Sequence, residues 1–211
     1  MSARFLIVDD HAVVRRGLAE ILRDAFSGAE IGEAGTARDG IEALKGGAWD
    51  AVILDVTLPD RSGLDALKEM RERAPRTPVL VLSVHGEDPF AVRALKAGAA
   101  GYLTKESAPA ELVAAVRKVR GGGRYVSEAL AEKLAGALAS GSPGAPHEAL
   151  SDREFEVLRL IASGKTPTEI AAHLHLSVKT VSTYRARILE KTGMKSNAEL
   201  THYAISRGLV A

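Results

Sequence analysis

Short unbroken apolar runs alternate with amphipathic stretches through the first half of the chain. Phe5-Leu6-Ile7-Val8, Ala51-Val52-Ile53-Leu54 and Val79-Leu80-Val81-Leu82 are apolar at every position, with weaker versions at Glu30–Ala34 and Ala100–Leu103. Between them apolar residues recur at helical spacing: Val14, Leu18, Ile21 and Leu22; Leu64, Leu67 and Met70; Leu112, Val113, Val116 and Val119. Runs this short and apolar on both faces fit strands covered on both sides. Five of them alternating with five helices predict an α/β unit built on a five-stranded parallel, doubly wound sheet.

The texture changes after residue 120. Gly121-Gly122-Gly123 breaks the last helix, Ser127–Leu138 is again helical in pattern, and Ser140–Pro146 has linker composition. Beyond residue 150 no strand pattern remains. Four helices are predicted at about 151–163, 167–174, 177–191 and 196–207. The organisation is therefore an N-terminal domain over 1–120, a connecting segment over 121–149 with one helix near 127–138, and an all-α domain over 150–211.

Composition narrows the picture. No apolar run approaches eighteen residues, so no membrane span is expected, and Met1-Ser2-Ala3-Arg4 lacks a signal-peptide layout. The absence of cysteine excludes disulfide and thiolate chemistry and fits a cytoplasmic protein. The formal net charge of +1 hides an asymmetry, because residues 150–211 hold nine Lys/Arg against six Asp/Glu. A basic end on an otherwise acidic chain suggests a polyanionic partner.

Candidate chemistry gathers at the strand ends. Asp9 and Asp10 follow the first strand, Asp55 the third, Ser83 the fourth and Lys105 the fifth. In a parallel sheet these carboxyl ends converge, and ligands bind there. An aspartate after a strand also serves as the N-cap of the next helix, a role open to Asp9 or Asp10. Three carboxylates together, however, call for a cation, and an all-oxygen set suits Mg²⁺. A lysine and a serine beside them can hold an added phosphoryl group.

The segments Leu6-Ile7-Val8-Asp9-Asp10-His11, Ile53-Leu54-Asp55-Val56-Thr57-Leu58-Pro59, Leu82-Ser83 and Gly101-Tyr102-Leu103-Thr104-Lys105 resemble the receiver domain of bacterial response regulators over about residues 3–120. The resemblance implies a flavodoxin-like fold in which Asp55 takes a phosphoryl group from a phosphohistidine on a sensor histidine kinase. It implies Mg²⁺ on Asp10, Asp55 and the Thr57 carbonyl, with Asp9 acting through water. Ser83 and Lys105 would grip the phosphoryl oxygens, and Tyr102 would fill the space that Ser83 leaves on activation. Glu106 departs from the family, which often has proline after the lysine. Thr57 and His85, each two residues past a site residue, are expected to border the path of an attacking water.

The C-terminal domain opens with a capping box, Ser151 and Glu154, and Pro167 begins the second helix. A short turn, His175-Leu176-Ser177, leads to a third helix with Ser177 as N-cap. Val178, Val181 and Ile188 are spaced to pack inward, together with the Arg185 stem. Two short helices joined by a tight turn, the second basic, have the form of a helix-turn-helix. A charged, solvated helix of an ordinary bundle fits the third helix equally well. The longer pattern, Leu150-Ser151-x-Arg153-Glu154-x-Glu156-Val157-Leu158, Glu169-Ile170-Ala171 and Leu176-Ser177-x-Lys179-Thr180-Val181-x-x-Tyr184, resembles the LuxR-type DNA-binding domain. By that resemblance Thr180 and Val181 seat the helix. Lys179, Tyr184, Arg185, Arg187 and Lys191 meet phosphates, and Ser182, Thr183 and Ala186 face bases. Thr166-Pro167-Thr168 and Thr192 depart from the usual pattern. Ala198, Leu200, Ala204 and Ile205 offer the last helix a small apolar face for pairing with a second copy.

Together the two resemblances imply a NarL/FixJ-type response regulator and not an enzyme. Its expected partners are a sensor histidine kinase, double-stranded promoter DNA bound as a homodimer, and RNA polymerase. Haloacid-dehalogenase-like phosphatases need a second acid two residues after the nucleophile, where Thr57 stands, and a nucleotide-binding Rossmann domain needs glycines after the first strand, where Asp9-Asp10-His11 stand. A ligand-sensing regulator would leave the acid cluster without a role.

Overall fold

The chain divides into two compact units, residues 1–135 and 136–211. The computed structural model describes residues 2–83, 89–127, 130–132 and 145–210. His85, most of the 127–138 helix and residues 133–144 of the connecting segment lie outside the described residues; 130–132 is helical.

In the first unit strands β1 (Arg4–Val8), β2 (Glu30–Ala34), β3 (Ala51–Asp55), β4 (Val79–Ser83) and β5 (Gly101–Thr104) form one parallel sheet in the order β2-β1-β3-β4-β5. Helices α1 (Ala12–Ala25), α2 (Ala37–Ala43), α3 (Gly63–Arg73), α4 (Pro89–Lys96) and α5 (Ala108–Arg120) make the crossovers. Every residue of β3 and β4 is buried, which is why those strands are apolar up to their last residues, Asp55 and Ser83. β2 is an edge strand with only Ala34 buried, and this explains its weaker pattern. One face of the sheet packs Phe5, Ile7, Ile53, Leu80 and Leu82 against α1 and α5 through Leu18, Leu22, Leu112 and Val116.

The other edge, β5, is extended by one residue from beyond α5. Tyr125 makes a parallel bridge to Gly101, its N–H donating to the Ala100 carbonyl at 2.9 Å and its carbonyl accepting from Tyr102 N–H at 3.1 Å. Gly101 makes this approach possible, since a Cβ there would lie 2.6 Å from the Tyr125 carbonyl oxygen.

The second unit holds α6 (Asp152–Ala162), α7 (Pro167–His173), α8 (Val178–Thr192) and α9 (Asn197–Ser206), preceded by a 3₁₀ turn at Pro146–Ala149. The Ser151–Glu154 capping box is present, and a second joins Thr166 to Glu169. Ser177 caps α8, and the turn before it passes through His175 at φ 53°, a left-handed conformation unusual outside glycine. Two packing expectations are corrected. Val181 and Ile188 are buried, but Val178 is 45% exposed, because it opens the first turn of α8 ahead of the helices that cover the rest. On α9, Leu200 and Ala204 are fully buried in the unit's own core, which leaves Ala198 and Ile205 outside.

Candidate functional site: the carboxylate edge and the exposed helix

The sheet register assembles the acidic site. Val8 pairs with Leu54, so the next residues, Asp9 and Asp55, stand side by side on neighbouring strands. Asp55 pairs with Leu82 and Ser83 with Thr104, placing Ser83 and Lys105 one step further out on the same edge. Lys105 N–H donates to the Ser83 carbonyl at 2.7 Å, which carries the β4–β5 ladder up to the site.

Lys105 Nζ lies 2.6 Å from Asp9 Oδ2 and 2.7 Å from Asp55 Oδ2, both carboxylates being buried. Burial pushes the Asp55 carboxyl up, Lys105 pulls it back, and the neighbouring Asp9 adds to the rise, leaving it at about 6. For Lys105 burial acts downward, but Asp55 and Asp9 outweigh it and hold the ammonium above its ordinary range. Thr57 N–H donates to Asp55 Oδ1 at 3.2 Å, fixing the carboxylate plane.

Neither Asp9 nor Asp10 caps α1. The N-cap is His11, whose own N–H donates to Asp9 Oδ1 at 2.8 Å. His11 Nδ1 lies 2.6 Å from Asp10 Oδ1, and Arg15 donates to the Asp9 carbonyl at 2.6 Å. These two roles were missed because a histidine and an arginine at a helix start carry no sequence pattern of their own. Ligand atoms of Asp9, Asp10, His11 and Asp55 lie within 4.8 Å of one another. One lysine cannot neutralise three carboxylates, so the set fits a divalent cation, and its carboxylate oxygens suit a hard one. Tyr102 is 1% exposed on β5, and Ser83 is equally buried at the end of β4. Beside Lys105 an apolar cleft of about 190 Å³ opens between α1 and α5, lined by Val14, Leu18, Ile21, Ala108 and Pro109.

On the second unit α8 turns Val178, Lys179, Ser182, Thr183, Ala186 and Arg187 to solvent, while Thr180, Tyr184 and Arg185 are half-buried. Ser182 and Thr183 hydroxyls donate to the carbonyls four residues back, both at 3.0 Å, leaving acceptor lone pairs outward. Two of the candidate cations are engaged within the unit: Arg185 Nε donates to Asn197 Oδ1 at 2.6 Å, and Lys191 Nζ donates to the buried Glu154 at 2.7 Å. The Thr192 hydroxyl donates to the Ile188 carbonyl at 2.7 Å, so a polar residue is accommodated there.

Comparison with known proteins matches these two regions separately. Residues 5–117 fit the family model described as response regulator receiver domain, and residues 148–204 the one described as bacterial regulatory proteins, luxR family. The chain belongs to the response regulators with a LuxR-family domain. Among its relatives, response regulator UvrY of Escherichia coli (strain K12) is 37% identical over 205 residues, 97% of this chain and 94% of UvrY. Among solved structures, RcsB from Salmonella enterica serovar Typhimurium bound to promoter rprA with the phosphomimetic BeF3⁻ aligns with a TM-score of 0.63. The identity is 27% over 97% of this chain and 99% of RcsB. A structure of two RcsB dimers bound to two parallel DNAs aligns with a TM-score of 0.60, at 26% identity over 98% and 99% of the chains. In this response regulator the receiver match contains the carboxylate edge, and the LuxR-family match contains all of α6, α7 and α8. Among the described residues no helix is long and apolar enough to cross a membrane.

Proposed function

We propose that Asp55 accepts a phosphoryl group from a phosphohistidine on a sensor histidine kinase, within a receiver domain of residues 1–120 joined through 121–149 to a DNA-binding domain of residues 150–211. The observation that carries this reading is Lys105 Nζ bridging Asp9 and Asp55 at the sheet edge. An Asp55 oxygen forms the new bond to phosphorus, the histidine N–P bond breaks, and the imidazole keeps the electron pair. Lys105 then passes from the Asp55 carboxylate to the phosphoryl oxygens, and the Ser83 hydroxyl donates to a second oxygen. Tyr102 takes the space that Ser83 vacates. Asp9, Asp10, Asp55 and the Thr57 carbonyl would hold Mg²⁺, which would spread the charge that develops on the transferred group. The receiver assists only its own phosphorylation and dephosphorylation and turns over no other substrate. Mass measurement after incubation with acetyl phosphate and Mg²⁺ tests this: the chain gains one labile phosphoryl group and Asp55→Asn gains none. Labelling retained in Asp55→Asn would refute it.

The output follows from the exposed face of α8. Val178, Ser182 and Ala186 are four residues apart and outward, so they form one stripe small enough to enter the major groove of double-stranded promoter DNA. Lys179 and Arg187 flank the stripe as phosphate contacts, with Tyr184 and Arg185 at its margin and Thr180 seating the helix against Ser177. Lys191 supports α8 through Glu154. The RcsB dimers on DNA support binding as a homodimer. Here Ile205, 57% exposed on α9 beside the exposed Ala198, is the natural contact between copies. Working in the cytoplasm, the bound dimer would meet RNA polymerase as a further partner. Ile205→Glu is expected to reduce dimer occupancy on a two-half-site duplex, and an unchanged gel shift would remove α9 from the contact.

A further inference from the structure

A second charged feature lies at the opposite end of the strands from Asp55. There the α3–β4 connection, the turn before β5 and the glycines after α5 border an open cavity of about 300 Å³. Arg71, Arg76, Arg120 and Arg124 line it, with Pro75, Pro78 and Gly98, and no acidic residue shares the wall. Cations at helix C-termini offset the helix dipole, which accounts for Arg71 and Arg120 in the last turns of α3 and α5. It does not account for Arg76 and Arg124, which lie on loops and have no protein partner among the described residues.

Two of the guanidinium groups are held in place. Arg71 donates to the carbonyls of Pro75 at 2.8 Å and Thr77 at 3.3 Å, and it packs over Gly98, where a Cβ would lie 3.5 Å from its Nε. Arg120 is fixed by Asp50 through Nε at 3.2 Å and Nη2 at 2.9 Å. The main-chain N–H groups of Gly98, Ala99, Ala100, Gly122 and Gly123 are already used within the fold. Recognition here therefore rests on guanidinium forks, whose geometry matches phosphate oxygens in pairs. The wall contains no aromatic ring on which a base or sugar could stack.

We propose that this cavity binds the phosphate groups of a small molecule, a diphosphate or longer chain. Arg120 is compensated by Asp50 and lies over the rings of Phe5 and Phe26, and Arg71, Arg76 and Arg124 then leave an excess of positive charge that one phosphate does not balance. The volume stands at the lower bound for small-ligand sites and accommodates such a group. Because Arg124 immediately precedes Tyr125, an occupied cavity also holds the bridge to β5 in place.

Inorganic pyrophosphate is the probe, titrated calorimetrically into the full chain with EDTA present so that no divalent cation links it to the carboxylate edge. One saturable site per chain is expected, binding at least tenfold more tightly than sulfate at equal ionic strength. Arg76→Glu with Arg124→Glu should weaken it at least tenfold, while Trp49 fluorescence shows that the receiver is folded. Arg76→Lys with Arg124→Lys keeps the charge but loses the forks, and should weaken it severalfold. Tripolyphosphate compared with a nucleoside triphosphate separates an inorganic source from a nucleotide, both within the proposal. Absence of saturable binding, binding unaffected by the double Glu substitution, or binding lost in Asp55→Asn overturns it.

Discussion

Gly63 stands against the carbonyl of Asp55 so closely that a Cβ at position 63 would lie 2.3 Å from that oxygen and 2.6 Å from the Cα of Val56. The contact is backbone on backbone, and Gly63 N–H donates to the Val56 carbonyl at 2.8 Å, so neither side can yield by rotating a side chain. The first turn of α3 thus sets the position of the proposed phosphoacceptor. Gly63→Ala should destabilise the receiver by about 1–3 kcal/mol, as overpacking does. It should also slow labelling by acetyl phosphate. The single tryptophan, Trp49, lies in the receiver, so urea unfolding followed by its fluorescence reports that domain alone.

Thr57 is half-buried, and its N–H donates to Asp55. That hydrogen bond survives a change of side chain, so Thr57→Ala should leave uptake nearly intact while altering the lifetime of phosphorylated Asp55 severalfold. The decay of the added mass measures this, and an unchanged half-life excludes Thr57 from the path of water.

The cations of α8 should separate into two classes. Lys179→Ala and Arg187→Ala are each expected to lower the slope of log K against log salt by about one, as loss of one phosphate contact does. Lys191→Ala should leave that slope unchanged, since its ammonium is engaged by Glu154. Fluorescence anisotropy on a labelled duplex at several salt concentrations distinguishes them.

Glu154 predicts a pH dependence. Burial acts to raise its pKa, but the hydrogen bonds from Lys191 and from Ser151 N–H, with the charge of Lys191, outweigh it and hold the carboxyl below its ordinary 4.5. A group depressed in the folded state stabilises fully above its unfolded value and loses that contribution as pH falls through the folded one. The second unit should therefore weaken below about pH 4.5, a decline that Glu154→Gln flattens. At neutral pH the same substitution should cost about 1.5–3 kcal/mol, the range for hydrogen bonds to a charged group. Far-UV circular dichroism, which reports the helices of both units, read against Trp49 fluorescence, which reports the receiver, isolates the change in the second unit.

What the sequence reveals and what it hides divide along physical lines. Doubly covered strands such as Ala51–Asp55 are apolar at every position before their terminal residue, so they and the polar carboxyl ends they carry could be read directly. The Thr166–Glu169 capping box is also legible, as a Thr-x-x-Glu spacing around Pro167 at the first helical position. Periodicity assigns faces but not neighbours. It gave Val178 to the core, where the helix start in fact projects, and gave Leu200 and Ala204 to a second copy when α6 already covers them. The Lys191–Glu154 pair spans 37 residues and has no local pattern. Gly63 looks like any helix-start glycine until the chain folds and sets Asp55 against it.

The Tyr125 bridge bears on how this receiver can be recombined. Sequence texture suggests a cut after Arg120, where the helix ends and the glycines begin. A graft made there would remove two main-chain hydrogen bonds from β5 and the Tyr125 hydroxyl that donates to Glu111 at 2.9 Å. It would also bare the β5 edge, a template for unwanted strand pairing. The transferable module ends beyond Tyr125, so a chimera joined at Val126 keeps the start of β5 covered where one joined at Arg120 leaves it bare.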